Sequence, residues 1–236
     1  MKSDYEDTLD KNFEKALTLC SKSYSYENLI EFLKSGNIPE KQYAALVIEE
    51  LKTPEDAEIF ISNLINCDGK IREAVAQKFL ELCEQEVYCD YFSDYPEILA
   101  KATIDINANI SRMVIDGLSK MKDFKIFGEK YTDKLIRYID EAFDGLDKIV
   151  FKDKKYTINK QLFKLYWCLE GLNNYSNYIS ASKLKKILKI ALNRPEYTVR
   201  EKVAQILKNL PENDFSELIL KVKSDDNYYV RKILTT

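Results

Sequence analysis

A ten-residue pattern occurs twice in this chain and begins a third time. Ile71-Arg72-Glu73-Ala74-Val75-Ala76-Gln77-Lys78-Phe79-Leu80 aligns without gaps with Val199-Arg200-Glu201-Lys202-Val203-Ala204-Gln205-Ile206-Leu207-Lys208. Val230-Arg231-Lys232-Ile233-Leu234 starts the same pattern. Weaker copies lie around Lys41-Gln42-Tyr43-Ala44-Ala45, around Ile110-Ser111-Arg112-Met113-Val114, and from Leu162 to Leu172. The step from Lys41 to Arg72 is 31 residues, as is that from Arg200 to Arg231, whereas Arg72 to Ser111 spans 39. Similarity at such a period marks units that cannot bury a face alone and must stack on their neighbours.

The units read as helices. Phe13, Ala16, Leu17 and Cys20 follow Leu9 at helical spacing, and Tyr26, Leu29, Ile30 and Leu33 form the next stripe. Ala57, Phe60, Ile61, Leu64 and Ile65 obey the same rule, as do Leu184, Ile187, Leu188 and Ala191, then Phe215, Leu218, Ile219 and Val222. Ser35-Gly36-Asn37 reads as a helix stop, and Thr53-Pro54 as an N-cap followed by proline in the first turn. With only 6 Gly and 5 Pro, the chain lacks the punctuation of an all-β fold. The expectation is an all-α chain of roughly twelve helices, or about six antiparallel pairs.

Composition narrows the chemistry. Lys+Arg 36 against Asp+Glu 39 gives a net charge of −3, which argues against broad DNA or anionic-membrane binding. Histidine is absent, so Ser-His-Asp and Cys-His catalysis cannot be assembled. Cys20, Cys67, Cys83, Cys89 and Cys168 form no C-x-x-C pair, which leaves no Cys/His zinc ligand set and suits reduced, core-filling thiols. No phosphate-cradling glycine motif is present. No cofactor or metal is therefore expected. The acidic start, Met1 to Asp7, has no apolar leader, and the longest apolar run, Tyr43 to Ile48, is short of a membrane span, so a cytoplasmic protein is expected.

The repeated pattern resembles the second helix of HEAT repeats, over residues 24 to 236. That family opens the helix with an apolar residue and Arg, often with Asp six positions earlier. Asp225 and Arg231 show that spacing, while Asp68 lies four before Arg72 and position 194 is itself Arg. The resemblance implies a right-handed α-α superhelix of the HEAT-like or armadillo type, one domain over 1–236. It implies a ladder in which Arg72, Arg200 and Arg231, with Asp225, bond the neighbouring repeat. A terminal repeat that breaks off within a helix, as here after Val230, suggests capping by a partner or a longer chain.

Two stretches interrupt the period. Residues 85–96 hold Val87-Tyr88-Cys89-Asp90-Tyr91-Phe92-Ser93-Asp94-Tyr95-Pro96, read as an aromatic, acidic loop or single turn, either an insertion whose rings pack back onto the solenoid or a place where Tyr88, Tyr91 and Tyr95 suit partner contact. Residues 122–159 hold a helix from Gly128 to Phe143, then a possible short β-hairpin near 149–158 with the basic tip Lys152 to Lys155. Tyr166-Trp167 carries the sole tryptophan, read as core between Leu162, Leu165, Leu169 and Leu172.

The function expected is a non-catalytic scaffold holding a protein partner on a curved helical surface. Glu73, Gln77, Glu81, Asp116, Lys120, Glu201, Gln205 and Lys208 would be exposed on the second helices, and their mixed charge suits a polar protein. Resemblance also allows a base-excision enzyme of the DNA alkylation-repeat type, with Trp167 stacking on a base, and a helper of the phycobilin-lyase type. Nucleic acid is the less favoured partner on charge.

Overall fold

The computed structural model describes residues 13–147 and 160–235, so the expected hairpin near 149–158 lies outside the described residues. The chain divides into two compact units, Met1–Met121 and Lys122–Thr236. In the first unit, α1 covers 13–20, followed by α2 (Tyr26–Ser35), α3 (Ile38–Val47), α4 (Pro54–Ser62), α5 (Gly69–Leu82), α6 (Glu86–Ser93), α7 (Pro96–Thr103) and α8 (Ala108–Leu118). In the second, α9 (Lys125–Asp147), α10 (Lys160–Asn173), α11 (Ala181–Ala191), α12 (Tyr197–Lys208), α13 (Glu212–Lys223) and α14 (Tyr228–Lys232) follow.

Among the described residues, six helix pairs recur: α2/α3, α4/α5, α7/α8, α9/α10, α11/α12 and α13/α14. Within the first unit the second helices α3, α5 and α8 pack in succession as one layer, and α2, α4 and α6 pack as the other. Within the second unit α10, α12 and α14 form the second-helix layer, and α11 packs beside α13. The fold is all-α, as the periodicity required, and α1 and α6 are additions to the six pairs. The stretch 122–159 contains α9, which is the first helix of its own pair rather than a simple interruption.

Local chemistry sets the boundaries. Asn37 and Glu40 form a reciprocal capping box at α3, Thr53 caps α4 ahead of Pro54, and Asp68 and Asn107 cap α5 and α8. The α2–α3 connection needs Gly36, because a Cβ there would stand 2.5 Å from the Phe32 carbonyl oxygen.

Residues 86–93, expected as a loop, form a helix instead. Tyr88, Cys89 and Phe92 fall one turn apart and are all buried. Phe92 sits 6.1 Å from Phe60 of α4 and 5.0 Å from Phe79 of α5, ring centre to ring centre, so burial of this one ring orders the turn. The acidic residues Glu86 and Asp90 that suggested a loop are on the solvent side. In the second unit the equivalent aromatic cluster is Phe127, Tyr131 and Tyr175, with centroids 4.9 to 5.9 Å apart. Among the described residues, no helix is long and apolar enough to cross a membrane.

At Gly117 the backbone of α8 comes close against side chains of α5. An added Cβ would lie 2.6 Å from Phe79 Cε1, and Phe79 is wholly buried and cannot swing away. Gly117→Ala is expected to destabilise by about 1–3 kcal/mol, overriding the roughly 1 kcal/mol that Ala gains over Gly in a helix. Urea unfolding checks this; a more stable variant would show that the contact is loose.

Candidate interaction surface

The polar chemistry of each unit begins with the arginine that opens a second helix. Arg72 Nε donates to Asp105 Oδ2 at 2.6 Å and Nη2 to Oδ1 at 3.2 Å, while Nη1 donates to the Cys67 carbonyl. Asp105 belongs to the α7–α8 connection, and its Oδ1 also accepts the Asn107 N–H at 2.8 Å. In the second unit Arg200 repeats this in detail. Its Nε and Nη2 reach Asp225 at 2.7 and 3.0 Å, and Asp225 Oδ1 accepts the Asn227 N–H at 2.9 Å. Nη1 of Arg200 donates to the carbonyls of Arg194 and Pro195, and Nη2 also meets Asp226.

The arginine thus ties its own helix start to the aspartate of the next pair. Arg231 donates Nη1 to the carbonyls of Asp225 and Asp226. Elsewhere the position is filled differently: Ser111 donates to the Asp105 carbonyl at 3.1 Å, and Lys41 donates to Asn63 Oδ1 at 2.8 Å.

Asp105 is a residue that sequence reasoning passed over. It stands six positions before Ser111, the spacing of Asp225 to Arg231, but with serine in the arginine's place the match is invisible. The signal was the spacing alone.

These pairs are largely withdrawn from water, the side chains being 17% and 9% exposed for Arg72–Asp105 and 11% and 9% for Arg200–Asp225. Hydrogen bonds donated to the partner carboxylate hold both guanidiniums above their ordinary range. Burial alone pushes Asp225 up, but the Arg200 hydrogen bonds and the Asn227 N–H outweigh it and hold the carboxyl below its usual value. A depressed carboxyl contributes stability that is present above the unfolded value, near pH 4, and is lost as pH falls further. Asp225→Ala leaves the buried Arg200 guanidinium only the exposed Asp226 carboxylate and two carbonyls, and is expected to cost about 2 kcal/mol at neutral pH. The same substitution should flatten the acid limb of the stability profile, read by urea midpoints from pH 6 to pH 2. An unchanged limb would contradict the assignment.

The second-helix residues expected at the surface form a row in each unit; Gln77, Glu81, Asp116, Lys120 and Lys208 are exposed, whereas Glu73, Glu201 and Gln205 are half-buried between their neighbours. In the first, Glu73, Gln77 and Glu81 follow one another along α5, each one turn on, and α8 lies beside them. Asn109 Nδ2 approaches Glu73 Oε1 at 3.5 Å, and Lys120 pairs with Glu84 at 2.9 Å, so Asp116 and Lys120 border the same row. Lys78 pairs with Glu81 at 2.6 Å. In the second unit Glu201, Gln205 and Lys208 follow along α12, with Gln205 accepting from Lys202 at 3.0 Å.

The tyrosines go elsewhere. Tyr88 is buried and lines a cleft of about 460 Å³ with Tyr26, Glu49, Glu50 and Gln85. Tyr91 and Tyr95 are half-buried. Burial, with the charges of Glu58, Asp94 and Glu55, pushes the Tyr95 phenol up. Helix α6 belongs to the first-helix layer, so these rings are not on the face that carries Glu73, Gln77 and Glu81.

Lys202 is the second residue the sequence reading left out. It aligns with Ala74, a core position, and it is buried here. Its Nζ lies 2.5 Å from Glu170 Oε2 and 4.8 Å from the centre of the Tyr166 ring. Burial pulls the ammonium down, and the Glu170 hydrogen bond and charge overcome this and hold it above its ordinary value. Trp167 beside it is buried, its ring edge-on to Phe163 and Tyr166, and no face is open for stacking on a base.

Lys202→Met alone leaves Glu170 without its partner and is expected to cost about 1 kcal/mol, because Glu170 keeps some access to water. Lys202→Met with Glu170→Leu is expected to return close to wild-type stability. A double variant as unstable as the sum of both singles would contradict this packing.

Stacked helix pairs, tied in each unit by one arginine at the start of a second helix, make a repeat fold of the HEAT-like class. An archaeal HEAT-like repeats protein from Thermococcus onnurineus NA1 is similar at TM-score 0.51 and 9% identity, over 90% of this chain and 78% of that one. An engineered protein is similar at TM-score 0.53 and 13% identity, over 90% and 96% of the two chains. The CpcE–CpcF complex of phycocyanin lyase from Nostoc sp. PCC7120 gives TM-score 0.48 and 16% identity, over 90% and 75%, a likeness too loose to bear on function. No protein-family model and no curated protein matches the sequence. The fold is that of a HEAT-like repeat protein.

Proposed function

We propose that this chain is a non-catalytic, cytoplasmic scaffold that binds a protein partner along its second-helix faces. The same reading takes 1–236 as one array. The observation that carries it is the row of half-buried Glu73 with exposed Gln77 and Glu81, beside exposed Asp116 and Lys120, which sets acid, amide and amine side by side on one helical surface. Glu201, Gln205 and Lys208 offer the same mixture on α12. Such a surface complements a polar protein, whose own charges can alternate, better than a phosphate polymer, which would meet three carboxylates in the first row. Contacts within the row are long or exposed, such as Gln77 to Glu81 at 3.5 Å, so they exchange for a partner's groups at little cost. Tyr88, Tyr91 and Tyr95 belong to a separate, first-helix surface and are a secondary contact in this proposal.

The test is photo-crosslinking in source cells from a benzophenone amino acid placed at Gln77 or Gln205. A discrete protein adduct is expected, lost when Glu73→Arg and Glu81→Arg are added and retained with Lys130→Glu on α9. Adducts that contain nucleic acid, or an adduct indifferent to the two charge reversals, would overturn the reading.

A further inference from the structure

Helix α11 differs from the rest of the chain in charge. It carries Lys183, Lys185, Lys186 and Lys189 and no acidic residue, in a protein whose net charge is −3. The cause of their placement is packing. Leu184, Ile187, Leu188 and Ala191 are buried, so Lys185, Lys186 and Lys189 must emerge on the opposite face, turn upon turn. Helix α13 runs alongside in the same direction, with Lys189 facing Glu217 at 3.4 Å and Lys221 donating to Asn193. Between them lies a cleft of about 560 Å³, its lysine wall made by Lys185, Lys186 and Lys189 and its floor including Phe215.

Two further observations set this surface apart from an ordinary solvated face. Ile190, one turn after Lys186 on α11, and Leu220, one turn after Glu217 on α13, are 39% and 66% exposed, so each helix carries an uncovered apolar side chain beside its charged ones. The lysines are also weakly engaged. The Lys189–Glu217 pair leaves its side chains 62% and 81% exposed, a pair of the kind worth little in water. Lys185 sits over the Phe215 ring at 5.3 Å, and Lys186 has no carboxylate partner among the described residues.

We propose that the outward faces of α11 and α13 dock an amphipathic acidic segment of a partner protein. Carboxylates one helical turn apart on such a segment match Lys185 or Lys186 and Lys189, which are themselves one turn apart. Its apolar residues cover Ile190 and Leu220. Charge complementarity selects a protein segment over a polyanion. Asp214 and Glu217 of α13 line the same cleft as the lysines and repel a continuous phosphate backbone, whereas a polypeptide can set an amide or amine opposite them. The surface lies on the first-helix layer, so it is independent of the proposed second-helix site.

The probe is a fluorescein-labelled 18-residue peptide of Glu and Leu, with Leu on one helical face and Glu flanking it, measured by anisotropy against the whole protein. Saturable binding is expected, weakened about tenfold or more by Lys186→Glu with Lys189→Glu, and weakened as well by Leu220→Ser. A Lys/Leu peptide should bind that lysine-reversed variant better than it binds wild type. Glu73→Arg with Glu81→Arg should leave the acidic peptide's affinity unchanged, which separates failure of this proposal from failure of the second-helix reading. Circular dichroism checks that each variant is folded. The proposal is overturned if the acidic peptide does not saturate, if a scrambled peptide binds equally, or if duplex DNA or phosphatidylserine vesicles displace it at lower concentration.

Discussion

The buried arginine–aspartate tie is the constraint on which the stacking depends. Helices α2 to α8 are 8 to 14 residues long, too short to persist alone in water. Hydrophobic burial draws neighbouring pairs together without fixing their register. The tie supplies that register. A guanidinium fork meets a carboxylate in one geometry only, and the same arginine also closes the loop before its own helix through carbonyl hydrogen bonds. Because removing these charges from water is costly, the tie is favourable only when every donor and acceptor is met. Asp105 and Asp225 meet this through two arginine nitrogens and one backbone N–H each.

Where the tie is absent, weaker devices stand in for it. Lys41 and Asn63 exchange a single hydrogen bond, and Asn63 adds two more to the carbonyls of Leu33 and Ile59. Ser111 closes its own loop but reaches no carboxylate. Lys202 takes the opposite course and places a cation where other copies have an apolar residue. There Glu170 and the Tyr166 ring offset its burial, so α10 and α12 are held by charge at the position that aligns with the apolar Ala74 of α5.

How much was legible follows from what each feature leaves in the sequence. Core stripes and caps are local, and α4, α5, α11 and α12 could be read from spacing and from Thr53, Pro54 and Asp68. The helix at Glu86–Ser93 was missed because its acidic residues mask a stripe of only three buried side chains, whose partner Phe60 is more than thirty positions away in sequence. Asp105 was missed because its partner is an arginine one pair earlier, while its own repeat carries Ser111. Of the surfaces, the mixed row on α5 could be placed by period. The lysine face of α11 is set by which helix packs beside it and by which apolar side chains stay uncovered, and neither is written in the local sequence.

The tie also decides what the surfaces can be, since register fixes which exposed groups become neighbours. Its most direct test is a double-mutant cycle on Arg72 and Asp105, each changed to Ala singly and together, with stability read by urea unfolding. A coupling energy of about 2 kcal/mol or more is the predicted result, with the double variant little worse than either single one. Additive losses, with coupling under about 0.5 kcal/mol, would contradict the account and leave stacking to hydrophobic contact alone.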